Sequence, residues 1–490
     1  MSSIRVTTHN DYSDTITAVE QVRDCVEGSP TIKRETYKYL PHPSSVNTTS
    51  PAALKRYKKL IMDAEFDNDT DDTRRELIGK MRLDDITLEL PQKLDYLEHD
   101  CDGDGTTLKG LAEELVSDVL QVKFKALVSD FNGLSSTDAQ NVSIADAQLL
   151  DLRANIKQYS RENIVNWNFT RINGAMKLSF IMLLERSYQF NSETFASDEV
   201  QNYLILALDE NGHYYQQKMV FSDQGQGQLS ERDYVSGNSK PLTFLPVSIV
   251  ADESLPVGKL PKALGYLFNI SDKVLYRYRA TAVYKECQNA LLPTTYTKGW
   301  KKGDFEDFEV INKRSNIESG PYAVNGLPRD VDVKTESTQS DMDDFHWYIE
   351  QSKKQVSEMG GKSGAEASNM TAQEANMIAS AQNAFLDTIA TNIERGVKRA
   401  IAYCAMFEGL VSADDIHEYD ITFDLPRDFA TPKMDNEEVN TLIALKNNGL
   451  RTTNQVIRQL ADGGRDIQDA EQTILELESD GGTISLQDNE

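Results

Sequence analysis

The segment Asp100–Gly105 has the residue types of a cation site, with Asp at positions 1, 3 and 5 and Gly at position 6. Calcium loops of the helix–loop–helix kind use this spacing, but they also need a bidentate Glu at position 12. Here position 12 is Leu111. The pattern therefore favours an acidic turn leading into a helix. A metal-dependent nuclease or hydrolase using the acids Asp100–Asp104 remains the alternative function.

A second candidate, Gly361-Lys362-Ser363, is similar to the end of a phosphate-binding loop. That motif needs an earlier glycine, where this chain has Val356, and it needs a preceding strand. A polar helical stretch precedes the segment instead. ATP hydrolysis is therefore not supported, and the residues predict a flexible loop.

A small basic and aromatic cluster interrupts an otherwise acidic chain. It consists of Lys298, Trp300, Lys301 and Lys302. Cations beside an aromatic ring can contact nucleic acid or a partner protein, and a plain surface turn would explain them nearly as well.

Nothing else in the sequence has the spacing of a catalytic group. The six histidines are scattered without a His-x-x-x-His pair, and no serine lies in a Gly-x-Ser-x-Gly turn. The four cysteines are isolated, which favours buried, reduced thiols over a disulfide framework or a zinc site. We therefore expect no enzyme activity, no cofactor and no metal.

The net charge of the chain limits how tightly it can bind nucleic acid. Its 490 residues include 51 Lys+Arg and 78 Asp+Glu, a net charge of −27. Tight binding to nucleic acid needs many cations that neutralise phosphates, so the acid excess argues against a protein that grips DNA. It is compatible with one that stays near DNA. No signal peptide or membrane-spanning segment is expected, because apolar runs are short.

Periodicity of apolar residues predicts an α+β protein. Residues 1–30 are polar and expected to be partly loose, and 222–237 to form an exposed loop. Helices are predicted over 50–82, 108–120, 145–165, 261–289, 340–358 and 371–408, with short ones near 436–447, 453–461 and 466–477. Strands are predicted over 87–90, 126–128, 177–186, 203–208, 214–221, 242–250, 308–311 and 419–423. Asn211-Gly212 indicates a hairpin turn.

The helix that begins near Thr371 is the clearest of these predictions. Thr371 and Glu374 have the spacing of a capping box, and Gly409 suits the position just after a helix. A helix approaching forty residues is roughly 55 Å long. That length suggests a strut in a large assembly.

Several segments also occur in the order seen in a known family. They are Tyr39-Leu40-Pro41, Leu94-Asp95-Tyr96-Leu97 before the Asp100–Gly105 turn, the run from Tyr159 to Trp167, Pro241-Leu242, the helix around 276–284 and the long helix from Thr371 to Gly409. With these segments the chain resembles the portal proteins, or head-to-tail connectors, of tailed bacteriophages, over residues 20 to 460.

The resemblance implies a mainly helical α+β protomer with named regions. Residues 1–260 would be a β-containing wing, 261–289 and 340–359 the paired stem helices, and 290–339 a small clip between them. Residues 360–370 would be the tunnel loop at the channel constriction, 371–433 the long wing helix with a returning strand, and 434–490 a helical crown.

The resemblance further implies a function and partners. The chain would form a ring, a dodecamer, at one capsid vertex of the virion, after assembly in the host cytoplasm. The ring would serve genome packaging, head–tail joining and genome ejection. Its partners would be double-stranded DNA, the terminase packaging ATPase, a head-completion or tail adaptor protein, and the major capsid and scaffolding proteins, with no membrane.

The resemblance implies two groups of contact residues, one in the DNA channel and one that meets partner proteins. The tunnel loop would contribute Gly360, Gly361, Lys362, Ser363, Gly364, Ser368 and Asn369. The clip would meet the motor and the adaptor through Lys298, Trp300, Lys301 and Lys302. A third class, a monomeric helical scaffold or adaptor, would explain the long helix but not the β segments.

Overall fold

The computed structural model describes most of the chain, with gaps. The described residues are 6–42, 51–81, 83, 86–131, 152–172, 174–190, 195, 197–221, 227–237, 240–256, 258–290, 294–298, 303–312, 332–336, 343–361, 372–427, 429, 442, 446 and 452–462.

Helices dominate both ends of the described chain. They are α1 (Asn10–Glu27), α2 (Ser29–Arg34), α3 (Pro51–Asp63), α4 (Asp69–Lys80), α5 (Tyr96–His99), α6 (Leu108–Val122), α7 (Tyr266–Ala290), α8 (Asp304–Asn312), α9 (Asp343–Glu358), α10 (Ala372–Phe407) and α11 (Thr453–Asp462).

Most of the strands lie between α6 and α7. They are β1 (Thr87–Glu89), β2 (Phe124–Phe131), β3 (Ala154–Ser160), β4 (Ile164–Ile172), β5 (Ala175–Phe190), β6 (Ser197–Leu208), β7 (Tyr214–Phe221), β8 (Gly227–Leu229), β9 (Asp233–Tyr234), β10 (Ser236–Gly237), β11 (Lys240–Pro241), β12 (Val247–Ala251), β13 (Thr294–Lys298), β14 (Asp332–Glu336) and β15 (Thr422–Asp424). The α+β class predicted from the sequence is confirmed.

The chain divides into two compact units built from discontinuous segments. The first unit contains Met1–Tyr12, Glu76–Lys262 and Met370–Glu490, and the second contains Ser13–Arg75 and Ala263–Asn369.

The first unit is organised around two antiparallel sheets. One has the order β12-β2-β3, and α10 packs against all three of its strands. The other has the order β4-β5-β6-β7-β8, with β9 also paired to β7. The predicted hairpin between β6 and β7 is present, and Gly212 at its turn has φ of 81°, a conformation that glycine adopts without a Cβ penalty. β12 is an edge strand, as predicted.

The second unit is helical at its core. Buried residues of α1, α2, α3 and α7 share one apolar cluster, which contains Cys25, Ile32, Ile61, Leu275 and Tyr278. α1 contradicts the prediction that residues 1–30 are partly loose. The segment is polar, but its few apolar residues, Val19, Val22 and Cys25, recur every three positions and are fully buried on one face.

Two predicted elements have the wrong type. The described part of 145–165 forms β3 and the start of β4 rather than a helix, because β3 pairs along its length with β2. Such long-range pairing overrides a local apolar spacing. Residues 308–311, predicted as a strand, lie in α8, where Phe308 is buried while Val310 and Ile311 are exposed.

The first long helix after the sheets begins later than predicted, at Tyr266 rather than at Pro261. A contact in the first unit accounts for the difference. Arg161, which is buried, donates from Nη2 to the Lys262 carbonyl at 3.0 Å, and the Lys262 ammonium lies 2.8 Å from Asp11 Oδ1. These contacts hold the chain around Lys262 outside a helix.

Candidate functional site

The central feature of the second unit is an antiparallel pair formed by α7 and α9. Three contacts define their direction. The Ser352 hydroxyl donates to the Lys273 carbonyl at 3.2 Å, and the Tyr284 hydroxyl lies 2.8 Å from His346 Nε2. At the other end, the Tyr266 hydroxyl donates to the Met359 carbonyl at 2.5 Å. The segment 291–342 is therefore inserted between two helices that run side by side.

A small sheet and a helix lie within the inserted segment. β13 pairs with β14 in antiparallel register, with Lys298 opposite Asp332 and Thr294 opposite Glu336. This two-stranded ladder brings the ends of the insertion together, and α8 lies between its strands in the chain. Of the four predicted clip contacts, Lys298 is at the end of β13, and Trp300, Lys301 and Lys302 lie outside the described residues.

The end of α9 is stopped by two glycines. The Gly360 N–H donates to the Ser357 carbonyl at 2.9 Å, and the Gly361 N–H donates to the Val356 carbonyl at 2.8 Å. With Gly360 at φ 78°, this is the Schellman arrangement of a helix C-terminus. A Cβ on Gly361 would come within 3.0 Å of Ile270, so α7 and α9 approach closely there.

Gly360 and Gly361 were expected to end the helix and begin the tunnel loop; the capping hydrogen bonds agree with the helix end, and the tunnel-loop assignment stays a prediction. The other predicted tunnel-loop residues lie outside the described residues: Lys362, Ser363, Gly364, Ser368 and Asn369.

The helix α10 follows and has 36 residues, roughly 54 Å in length. The predicted apolar stripe is buried at Leu386, Ile389, Ile393 and Val397. Its C-terminus is capped as predicted, since Gly409 has φ of 72° and the following N–H, that of Leu410, donates to the Ala405 carbonyl. Thr371, the predicted N-cap, lies outside the described residues.

Aromatic residues are exposed on the helix pair. Trp347 and Tyr348 on α9 are 58% and 47% exposed, and their rings contact each other edge to face. Tyr276 and Val283, seven residues apart on α7, are also about half exposed. Exposed apolar surface of this kind is typical of faces that contact another protein.

In the acidic turn Asp100–Gly105, carboxylate oxygens accept hydrogen bonds from backbone N–H groups of the same turn. Asp100 Oδ1 accepts from the N–H groups of Gly103 and Gly105 at 2.8 and 3.0 Å, and Asp100 Oδ2 lies 2.5 Å from Arg153 Nη2. Asp102 Oδ1 accepts from the N–H groups of Asp104 and Thr106. The turn then leads into α6, as the sequence predicts.

The electrostatics of the turn agree with this role. Burial raises the pKa of Asp102, but the hydrogen bonds from Thr106 and Asp104 outweigh burial and lower it below its usual value. In the part of the chain that the structure describes, no three His, Cys, Asp or Glu side chains are grouped as metal ligands. At this turn the carboxylates of Asp100 and Asp102 accept hydrogen bonds from the turn itself, and the metal-dependent nuclease or hydrolase stays the alternative hypothesis.

Three cysteines have the environment of structural thiols. Cys25, Cys101 and Cys404 are free and buried, and burial raises the pKa of Cys101 to about 12. The side chain of Cys287 is outside the described part. Among the described helices, none is both long and apolar enough to cross a bilayer.

A buried ion pair in the second unit was not predicted from the sequence. Arg277 on α7 is fully buried, and its Nη2 lies 2.8 Å from Asp69 Oδ2 at the start of α4. Asp67 Oδ2 lies 3.4 Å from Arg277 Nε. An arginine in the middle of a predicted helix was the only available signal, and its partners are about 210 residues away in the chain.

Three solved structures align with most of the chain at low similarity. A chain in the virion of a native gene transfer agent particle aligns over 85% of this chain and 92% of its own length, with TM-score 0.36 and 13% identity. A chain in the neck of an empty gene transfer agent particle covers 83% and 89%, with TM-score 0.35 and 11% identity. One in the neck of a native particle covers 80% and 89%, with TM-score 0.36 and 14% identity.

Similarity at this level does not establish a common fold. No family model matches the chain. No curated protein matches it either.

Proposed function

We propose that the chain is a portal protein, a non-enzymatic subunit of a ring-shaped DNA channel at one capsid vertex. The ring would serve genome packaging, head–tail joining and genome ejection. The observation that carries the proposal is the antiparallel pair of α7 and α9, with a small structured insertion between them and the long helix α10 after them. This order supports the stem, clip and wing helix that the sequence resemblance implies.

The exposed side chains of the pair support assembly into a ring. A helix with exposed aromatic residues gains stability when a second copy covers it, since apolar burial contributes about 25 cal/mol per Å². Trp347 and Tyr348 are placed to contribute such burial. The ring would hold twelve copies.

The decisive experiment measures the mass and shape of the purified full-length chain. We expect native mass spectrometry to find twelve copies of the 55.0 kDa subunit, about 660 kDa, and negative-stain images to show rings with a central hole. The double variant Trp347→Ala, Tyr348→Ala should lower the ring fraction while its circular dichroism stays unchanged. A wild-type chain that remains monomeric at all concentrations would contradict the proposal.

The same proposal assigns roles to individual residues of the clip and the tunnel loop. Trp300 and its neighbouring lysines would contact the packaging ATPase and then the adaptor, and Lys362 would make transient phosphate contacts in the channel. Trp300→Ala rings should bind both proteins more weakly, by about tenfold. Lys362→Glu should slow packaging or ejection, and unaltered DNA transport in that variant would remove the role of Lys362.

A further inference from the structure

A pocket of about 730 Å³ opens in the first unit beside α10. Its wall is formed by β4 and β5, by residues 243–260, by α10, and by residues 413–417. The volume is within the range of about 300–1,000 Å³ that small-molecule sites occupy.

Four cations line this pocket in a strongly acidic chain. They are Lys177, Lys259, Arg395 and Arg399. Arg395 and Arg399 are four residues apart on α10, so they lie on the same face of the helix. Among the described residues, no carboxylate is within ion-pair distance of any of the four cations.

The acids of the pocket are already paired with other cations. Glu253 Oε1 lies 3.1 Å from Lys123 Nζ, and Asp414 Oδ2 lies 3.6 Å from Lys240 Nζ. Lys123 also lies 3.0 Å from Asp252 and so offsets Glu253 only in part, but the described wall of the pocket still has four cations against two acids. A bound anion would balance this excess of positive charge.

Asn392 adds a hydrogen-bond donor to the wall of the pocket. It lines the pocket and is 5% exposed, and its Oδ1 accepts from Arg395 Nη2 at 2.6 Å. Within the described part of the chain its Nδ2 has no hydrogen-bond partner. A buried amide N–H without an acceptor costs free energy. A ligand oxygen that accepts from Nδ2 would remove this cost and so favour binding.

The pocket also has an apolar wall. The rings of Phe244 and Tyr403 stack with centroids 5.6 Å apart, and Leu255 and Pro256 line the pocket with them. The combination of a few convergent donors and an apolar surface is the composition of a small-molecule site.

We propose that this pocket binds a phosphorylated small molecule of about nucleotide size. The guanidinium groups of Arg395 and Arg399 hold its phosphates, because their planar forks match phosphate oxygens. The apolar part of the ligand packs against Phe244 and Tyr403. This inference does not depend on the portal proposal.

The test titrates the full-length protein with dATP and with inorganic pyrophosphate, in buffer without divalent cations, by isothermal calorimetry. Both should bind the wild type. The double variant Arg395→Ala, Arg399→Ala should weaken both by about tenfold or more. Arg186→Ala, which removes an exposed arginine outside the pocket, is the matched control and should leave both affinities within about twofold.

A third variant distinguishes a nucleotide from polyphosphate alone. Phe244→Ala should weaken dATP and leave pyrophosphate unchanged, because only the nucleotide has an apolar part. The proposal is overturned if neither probe binds, or if the double arginine variant binds as the wild type does. Tighter binding of a short DNA duplex, lost in the same variant, would also overturn it and assign the cations to a nucleic-acid backbone.

Discussion

Arg277 is a single residue with a large expected contribution to the folding stability of the second unit. Its guanidinium is 2% exposed and pairs with Asp69, which is equally buried. Removing one partner of a buried ion pair leaves the other charge without compensation in a low-dielectric environment. The energetic effect therefore exceeds that of the many ion pairs on the surface.

We expect Arg277→Ala to lower the free energy of unfolding by about 3–5 kcal/mol. Urea denaturation of the full-length chain measures the change. Arg75→Ala is the control, since the Arg75 side chain is exposed and its buried partner Asp71 keeps a second cation, Arg74, at 2.7 Å. Its loss should cost no more than about 1 kcal/mol. Equal losses in the two variants would show that burial of the Arg277 pair has no consequence.

The acidic turn Asp100–Gly105 illustrates how far residue types predict a site. The missing ligand at Leu111 already argued for a turn rather than a calcium loop, and in the structure Asp100 and Asp102 accept backbone N–H groups of that turn. The ion pair of Asp100 with Arg153 was not predictable, because nothing in the spacing indicates which cation the fold brings near.

At the scale of elements, the contact of α10 with β12 depends on one small residue. A Cβ on Gly396 would lie 2.4 Å from Val250 Cγ2, and the Ser248 hydroxyl donates to the Gly396 carbonyl at 2.9 Å. Helix and strand therefore approach so closely that only glycine fits between them.

Gly396→Ala should destabilise the first unit, by about 1–3 kcal/mol, because the added methyl overpacks the interface. Gly79→Ala is the matched control, since Gly79 is also in a helix and nothing lies within 4 Å of its added Cβ. It should stabilise by about 0.4–1 kcal/mol. Thermal unfolding followed by circular dichroism gives both values, and a stabilising Gly396→Ala would contradict the described contact.

Some helix ends are set by residues next to them in the chain, and others lie beside contacts from distant segments. Gly409 was predicted as a helix stop, and its positive φ confirms that prediction. The predicted end of α9 at Glu358 is confirmed as well, with Gly360 at positive φ just beyond it. Before α7, the Lys262 carbonyl accepts from Arg161, which is more than 100 residues earlier in the chain.

For the whole molecule, the acid excess limits how tightly the chain can bind DNA. Each chain has a net charge of −27, and the proposed ring of twelve would have −324, twelve times that value. A protein that binds DNA tightly does so by neutralising phosphates with cations. An acidic composition therefore disfavours retention of DNA and suits the surface of a channel through which DNA passes.

We therefore expect duplex DNA to bind the purified protein weakly, with a Kd above about 100 µM near 0.15 M salt. Fluorescence anisotropy of a labelled duplex, measured over a range of salt concentrations, tests this. Tight binding with a steep salt dependence would mean that cations are concentrated on a DNA-binding face despite the net charge.

The sequence by itself determined the α+β class, the long helix α10 and the hairpin at Asn211-Gly212. These features depend on apolar periodicity and turn chemistry, which act between residues close in the chain. Only the tertiary structure decided that β3 is a strand, that Arg277 faces Asp69, and that the cations of α10 share a pocket with Phe244. Each of these depends on contacts between distant segments, and folding brings such segments together through packing that local spacing does not encode.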